Sequence, residues 1–160
     1  NILSNTPNWW KHLKSPTIVT PHPGEMSRLL GCTVQEVENN RVETARYAAN
    51  RWAVTVLLKG AFTVIASPEG RVRVLPFANP ALATAGTGDV LAGVVAALLS
   101  QGLEPFNAAS AGAFLHAAAG ELMAKAMGTS GAIASDLLSL LPVSATSIRA
   151  GDFTGGVQEV

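Results

Sequence analysis

The segment Thr84-Ala85-Gly86-Thr87-Gly88-Asp89, running straight into the apolar stretch Val90 to Leu99, most narrows what this chain can fold into. A helix that is apolar nearly all round must be covered on more than one side. Such cover comes from a layered interior. Hydrophobic residues make up 48% of the chain and charged ones 14%, so the α/β class, with helices laid on a sheet, is expected rather than a solvated bundle. The 160 residues suffice for one ordinary domain with a core of its own.

The strands come from the remaining apolar runs. Thr17-Ile18-Val19-Thr20, β-branched and bounded by Pro16 and Pro21, predicts a buried strand. It ends in the loop Pro21-His22-Pro23-Gly24-Glu25, with a short helix over 26–30. Thr33 and Glu36 have the spacing of a capping box, and a helix is predicted from there to about residue 51. Residues 53–58 form a continuous apolar run, as in an interior parallel strand. A β-hairpin is expected near 62–75, around Ser67-Pro68-Glu69-Gly70. Helices follow over about 89–100, 105–127 and 134–141, and the tail after Arg149 is expected to be loosely held. Residues 1–15 read as a short helical or irregular surface segment. Trp9, Trp10 and Trp52 read as packing residues.

Charge excludes some functions. Eleven basic residues balance eleven acidic ones, so no broad positive field gathers nucleic acid or anionic lipid. Any phosphate must be held locally, by a loop. The longest apolar stretch is too short to cross a bilayer, no secretory signal opens the chain, and Cys32 stands alone. A reducing, cytoplasmic setting is expected, with neither a nucleic-acid nor a membrane partner.

Candidate chemistry centres on Gly86, Thr87, Gly88 and Asp89. Glycines let consecutive backbone N–H groups converge, and the positive end of the following helix adds to them, so the loop suits an anion. Asp89 places a carboxylate beside that hole, able to accept a hydroxyl proton. Alternatively, the glycines merely shape a turn and Asp89 caps the helix. Lys59, at the end of a strand, is placed to reach a phosphate. His22 also follows a strand. His116, on an Ala-rich helix, reads as a packing residue with a polar tip, Glu121 has no evident link to the loop, and Cys32 reads as a small apolar residue.

Three segments, TPHPGEMSRLLG, LLKGAFTVI and NPALATAGTGDVLAG, occur in that order and are followed by FLHAAAGEL. Together they closely resemble the NAD(P)H-hydrate dehydratases of the ribokinase-like superfamily, over about residues 1–141. The resemblance implies a three-layer α/β/α ribokinase-like fold. Residues 1–160 would be a single domain, the C-terminal nucleotide-binding portion, with the N-terminal portion absent. It also implies repair of hydrated NADH or NADPH at the expense of ADP or ATP with Mg²⁺: the hydrate hydroxyl is phosphorylated and phosphate is then eliminated. By motif match, Gly86, Thr87, Gly88 and Asp89 are catalytic, with Asp89 as the base. His22 and Asp89 contact the hydrate, and Lys59, Gly60, Ala61, Phe62, Thr63 and Gly88 line the nucleotide site. No residue is assigned as a metal ligand.

One segment departs from the family pattern: Ala81-Leu82-Ala83-Thr84-Ala85 stands where relatives carry Gly-Met-Ala-Thr-Gly. A homo-oligomer is expected. If the chain is a portion of the relatives' domain, it should show an exposed strand edge and an uncovered apolar face, with at best weak nucleotide binding and no robust turnover. The GTGD loop also fits a ribokinase-like kinase of a small alcohol, such as a vitamin precursor, or a nucleotide-binding fragment without catalysis.

Overall fold

The structure, a computed structural model, describes residues 2–153. Its sheet has four strands in the order β1 (Ile18–Val19), β2 (Thr55–Leu58), β3 (Val64–Ala66) and β4 (Val72–Val74). β1 and β2 are parallel, with Ile18 opposite Thr55. β2, β3 and β4 are antiparallel neighbours. The last pair is the expected hairpin, closed by Ala66 opposite Val72 and by the Ser67 N–H donating to the Arg71 carbonyl.

Alternation along β2 sorts the core into two. Val56 and Leu58, with Val64 and Ala66 of β3, pack against α1 (Pro23–Leu30), α2 (Val34–Asn39) and α3 (Arg41–Trp52) through Met26, Val37, Ala48 and Trp52. Leu57 and Ile65 point the other way, onto α4 (Thr87–Ser100) and α5 (Pro105–Met127), where Leu91, Val95 and Ala113 meet them. This is the three-layer α/β/α arrangement. All four residues of β2 are buried, and each buried aliphatic side chain contributes roughly 1.5–3 kcal/mol relative to exposure. A last helix, α6 (Asp136–Ala150), packs along α5 and buries Leu137 beside Met123. Among the described residues, no helix is long and apolar enough to cross a membrane.

Several elements depart from the reading of the sequence. The helix expected from the Thr33 capping box starts as predicted, with Glu36 and Thr33 bonded reciprocally. It does not run to residue 51, however. Asn40 leaves helical conformation (φ −135°, ψ 44°), and α3 begins afresh at Arg41. The first helix starts at Pro23 rather than Met26, because His22 caps it: its Nδ1 accepts from the Glu25 N–H while the Glu25 carboxylate accepts from the His22 N–H. Proline at the first helical position suits this start. The opening segment forms two 3₁₀ turns, Leu3–Asn5 and Trp9–His12. It is more than surface, since Trp9 is buried with its ring 5.3 Å from that of Trp52.

α4 is less enclosed than its composition implies. Thr87, Leu91 and Val95 are buried, whereas Ala92, Gly93, Ala96 and Ala97 are exposed. The helix lies in an outer layer, and its small residues leave that face uncovered. α6 continues to Ala150 through Pro142, past the end expected near residue 141. The lost backbone bond and the clash of the ring with the preceding turn, together about 3 kcal/mol or more in a helix interior, are offset by packing along α5. Of the tail expected to be loose, residues 154–160 lie outside the described residues.

α4 approaches α5 closely because position 112 is glycine: a Cβ there would sit 2.7 Å from Val95 Cγ2 and 3.3 Å from Val95 Cα. Gly112→Ala is therefore expected to destabilise the protein by about 1 kcal/mol, overpacking outweighing the helix-propensity gain. In a Val95→Ala background the same substitution should cost less, because the Cγ2 contact is gone while the approach to the Cα remains. Urea unfolding of the four proteins checks this, and an equal effect in both backgrounds would refute the contact.

Candidate functional site

Parallel strands end on the same side, so the loops after β1 and β2 emerge together, and the start of α4 joins them. A cleft of about 660 Å³ lies between these three segments and the flank of α5. That is a volume typical of small-molecule sites. Its lining includes the polar or backbone-exposing residues His22, Lys59, Gly60, Thr63, Thr84 and Gly88, with His116 and Asn79. Apolar lining comes from Leu75, Phe77, Leu82, Leu91, Ala113 and Ala117.

The loop after β2 is tied on every side. The Lys59 N–H donates to the Pro21 carbonyl (2.8 Å), the Phe62 N–H to the Phe77 carbonyl (2.7 Å) and the Thr63 hydroxyl to the Gly60 carbonyl (3.0 Å). Lys59 Nζ sits 3.5 Å from Glu25 Oε2. Nζ would lie 3.2 Å from a Cβ at Gly88, so the missing side chain at 88 lets the ammonium approach the start of α4. Partial burial works against the charged Glu25 carboxylate. The His22 N–H and the nearby Lys59 and His22 outweigh that, and the carboxyl stays below the ordinary carboxylate range.

At the start of α4, Gly86 adopts φ +88°, the left-handed region where glycine is at ease. The Thr87 hydroxyl is spent on structure, 2.7 Å from the Leu82 carbonyl and 2.8 Å from that of Thr84. The Thr87 and Asp89 N–H groups donate to the Thr84 and Gly86 carbonyls, so the loop offers fewer free donors than its glycines predict. Gly88 lies on the cleft wall in the first turn of α4, where the positive helix end favours an anion.

The structure thus brings His22, Lys59, Gly60, Ala61, Thr63, Thr87 and Gly88 around one cleft. Gly86, Asp89 and Phe62 are not in its lining: Asp89 is exposed in the first turn of α4, and Phe62 is half exposed with φ 53°. His22 keeps only Nε2 available, because Nδ1 serves the helix cap.

Reading the residues in order misses several participants. His116 is indeed buried, but its Nε2 lies 2.9 Å from the Thr87 carbonyl. A carbonyl only accepts, so Nε2 carries the proton and donates, tying α5 to the catalytic-loop candidate. Glu121 accepts from Asn79 Nδ2 at 3.1 Å, and Asn79 caps the 3₁₀ turn Pro80–Ala83 that leads into the loop. Arg41 reaches the end of β2 from α3. Nothing in the sequence links positions so far apart. Glu25 alone had a local signal, the capping-box spacing to His22.

The layered sheet and its cleft at the strand ends define a ribokinase-like α/β protein. The fold is similar to that of a ribokinase-like superfamily protein from Enterococcus faecalis, at TM-score 0.69 and 26% identity, covering 84% of this chain and 46% of that one. More specifically, the chain belongs to the NAD(P)H-hydrate dehydratase family, whose model matches residues 1–143. It is 51% identical over 127 residues to the bifunctional NAD(P)H-hydrate repair enzyme Nnr of Moorella thermoacetica, 79% of this chain and 24% of that protein. It is also similar to the ADP/ATP-dependent NAD(P)H-hydrate dehydratase from Bacillus subtilis co-crystallized with ATP/Mg²⁺, at TM-score 0.79 and 37% identity over 82% of this chain and 47% of that one. The chain thus spans about a quarter and about half of these relatives' lengths.

Burial lowers the proton affinity of His116, the bond to Thr87 opposes this, and the net lies below the ordinary imidazole value of 6.5. The unfolded chain then binds the proton more tightly. Stability from the neutral ring is complete above that ordinary value and is lost as pH falls below it. The melting temperature should drop between about pH 7 and pH 5.5, and less so in His116→Gln. A variant that declines as steeply as wild type would remove His116 as the source.

Proposed function

We propose that this chain carries the nucleotide-binding part of an NAD(P)H-hydrate dehydratase, which returns hydrated NADH or NADPH to its reduced form at the expense of ADP or ATP. The observation that carries this reading is the convergence of HPGE, KGAFT and GTGD, remote in sequence, on a single cleft. The nucleotide lies there, its phosphates near Lys59, Gly60, Ala61, Phe62, Thr63 and Gly88. The hydrate presents its hydroxyl to Asp89 and His22 at the exposed rim.

Asp89 takes the hydroxyl proton as the oxygen attacks the terminal phosphoryl group, whose bond to the bridging oxygen breaks to release AMP from ADP or ADP from ATP. Loss of inorganic phosphate and of a proton from the adjacent ring carbon then restores the nicotinamide ring. Phosphoryl transfer asks mainly for positioning and charge stabilisation, which Lys59 and the start of α4 offer. Gly86, Thr87 and Gly88 hold the base at the helix end. Among the described residues, no three His, Cys, Asp or Glu side chains cluster as a metal site. The described residues therefore form no protein-built magnesium cage, and Mg²⁺ belongs to this reading as the counter-ion of the nucleotide phosphates.

The reading includes a cytoplasmic homo-oligomer. Support for self-association is apolar surface on α6, where Leu138 and Val143 are more than half exposed.

The test mixes the protein with ADP or ATP, Mg²⁺ and hydrated NADH and follows recovery of reduced-nicotinamide absorbance. Asp89→Asn is expected to lower whatever recovery the chain supports by about 10²–10⁴-fold. Undiminished recovery would remove Asp89 as the base. A stable phosphorylated product would indicate a kinase of a small alcohol instead, and nucleotide binding without recovery a binding module alone.

A further inference from the structure

The break between α2 and α3 puts a cation where a helix least favours one. Arg41 is the first residue of α3, at the positive end of the helix dipole, and the preceding Asn40 gives no side-chain cap. Its guanidinium is largely buried, and its Nε is buried without a hydrogen-bond partner. These are local costs, and such costs mark residues held for another purpose.

The two terminal nitrogens show the purpose. Nη2 donates to the Leu58 carbonyl at 3.2 Å and to the Lys59 carbonyl at 3.1 Å, the last two carbonyls before the Gly60 turn. Nη1 donates to Glu38 at 3.0 Å, fixing the fork from outside. A Cβ at Gly60 would lie 3.0 Å from both Nη1 and Nη2. Glycine is therefore required twice, by φ +135° and by the guanidinium. In a planar trans peptide the N–H points opposite to the C=O. Anchoring the Lys59 carbonyl on Arg41 thus turns the Gly60 N–H away from α3, while Gly60 lines the cleft.

We infer that Arg41 is the positioning residue of the nucleotide loop: without touching the ligand, it clamps the end of β2 so that the Gly60 N–H, beside the Lys59 ammonium, meets a nucleotide phosphate. This rests on the reading of Lys59 to Thr63 as nucleotide-binding. Lysine cannot replace the clamp, because a point charge lacks the planar fork whose Nη2 holds both carbonyls while Nη1 is held by Glu38.

Calorimetric titration with ADP and ATP, each with Mg²⁺, tests the inference on wild type, Arg41→Lys, Glu38→Gln and Val37→Ala. Val37 is fully buried on α2 and away from the cleft lining, so Val37→Ala controls for lost stability alone. Arg41→Lys is expected to raise the nucleotide Kd about tenfold. Glu38→Gln, which removes only the exposed ion pair, should raise it about twofold, and Val37→Ala should leave it unchanged at a comparable fall in melting temperature. An unchanged Kd in Arg41→Lys, or equal weakening in Val37→Ala, would overturn the clamp. Should Arg41→Lys not fold, Glu38→Gln decides, and an unaltered Kd there overturns it. A wild-type chain that binds neither nucleotide sinks the loop reading and the clamp with it, whereas wild-type binding with an indifferent Arg41→Lys sinks the clamp alone.

Discussion

Strand β2 is covered on both faces, and that double burial governs where polar chemistry can be placed. With Val56 and Leu58 committed to one helical layer and Leu57 to the other, no side chain along the strand is free for a ligand. Only its end is available. Parallel pairing with β1 then puts the Pro21–Glu25 loop beside Lys59, and a helix crossing the far face delivers its N-terminus to the same rim. Ligand sites outside the carboxyl ends of strands follow from this geometry in open α/β sheets generally.

A chain with no net charge can offer an anion only local attraction. The cleft gathers one ammonium, a helix start and backbone N–H groups, and it keeps the surrounding groups from competing. Burial pushes the proton affinity of His116 below the ordinary imidazole value, which disfavours a positive charge behind the loop. Glu25 holds Lys59 at the rim while its own charge is partly spent on the His22 N–H. Such a partly exposed pair is weak, and in the proposed function a phosphate with more charge would displace it.

Small residues bring the layers near enough for this to work. Gly112 admits Val95, Gly88 admits Lys59, and a Cβ at Gly120 would lie 2.8 Å from the Leu82 side chain. The last contact seats the Pro80–Ala83 turn on α5, and through the Thr87 hydroxyl that turn holds the start of α4. Leu82, one of the positions that departs from the family pattern, therefore both lines the cleft and supports the loop.

Local pattern alone determined the α/β class, the capping box at Thr33, the hairpin at 67–70 and the limits of α5, while the segments that line the cleft were legible mainly through the family resemblance. Each of the local features rests on contacts within a few residues, or on one face of one element being apolar. Only the tertiary structure decided that the helix after Thr33 breaks at Asn40, that α4 is uncovered on its Ala92–Ala96 side, that Pro142 lies within a helix, and that Trp9 is core. It also decided the roles of Arg41, His116 and Glu121, whose partners lie 17 to 42 positions away. The reason is physical: propensity and periodicity report how a residue meets its neighbours in the chain, whereas a buried hydrogen bond between distant segments exists only once packing has brought both ends together and removed the competing water.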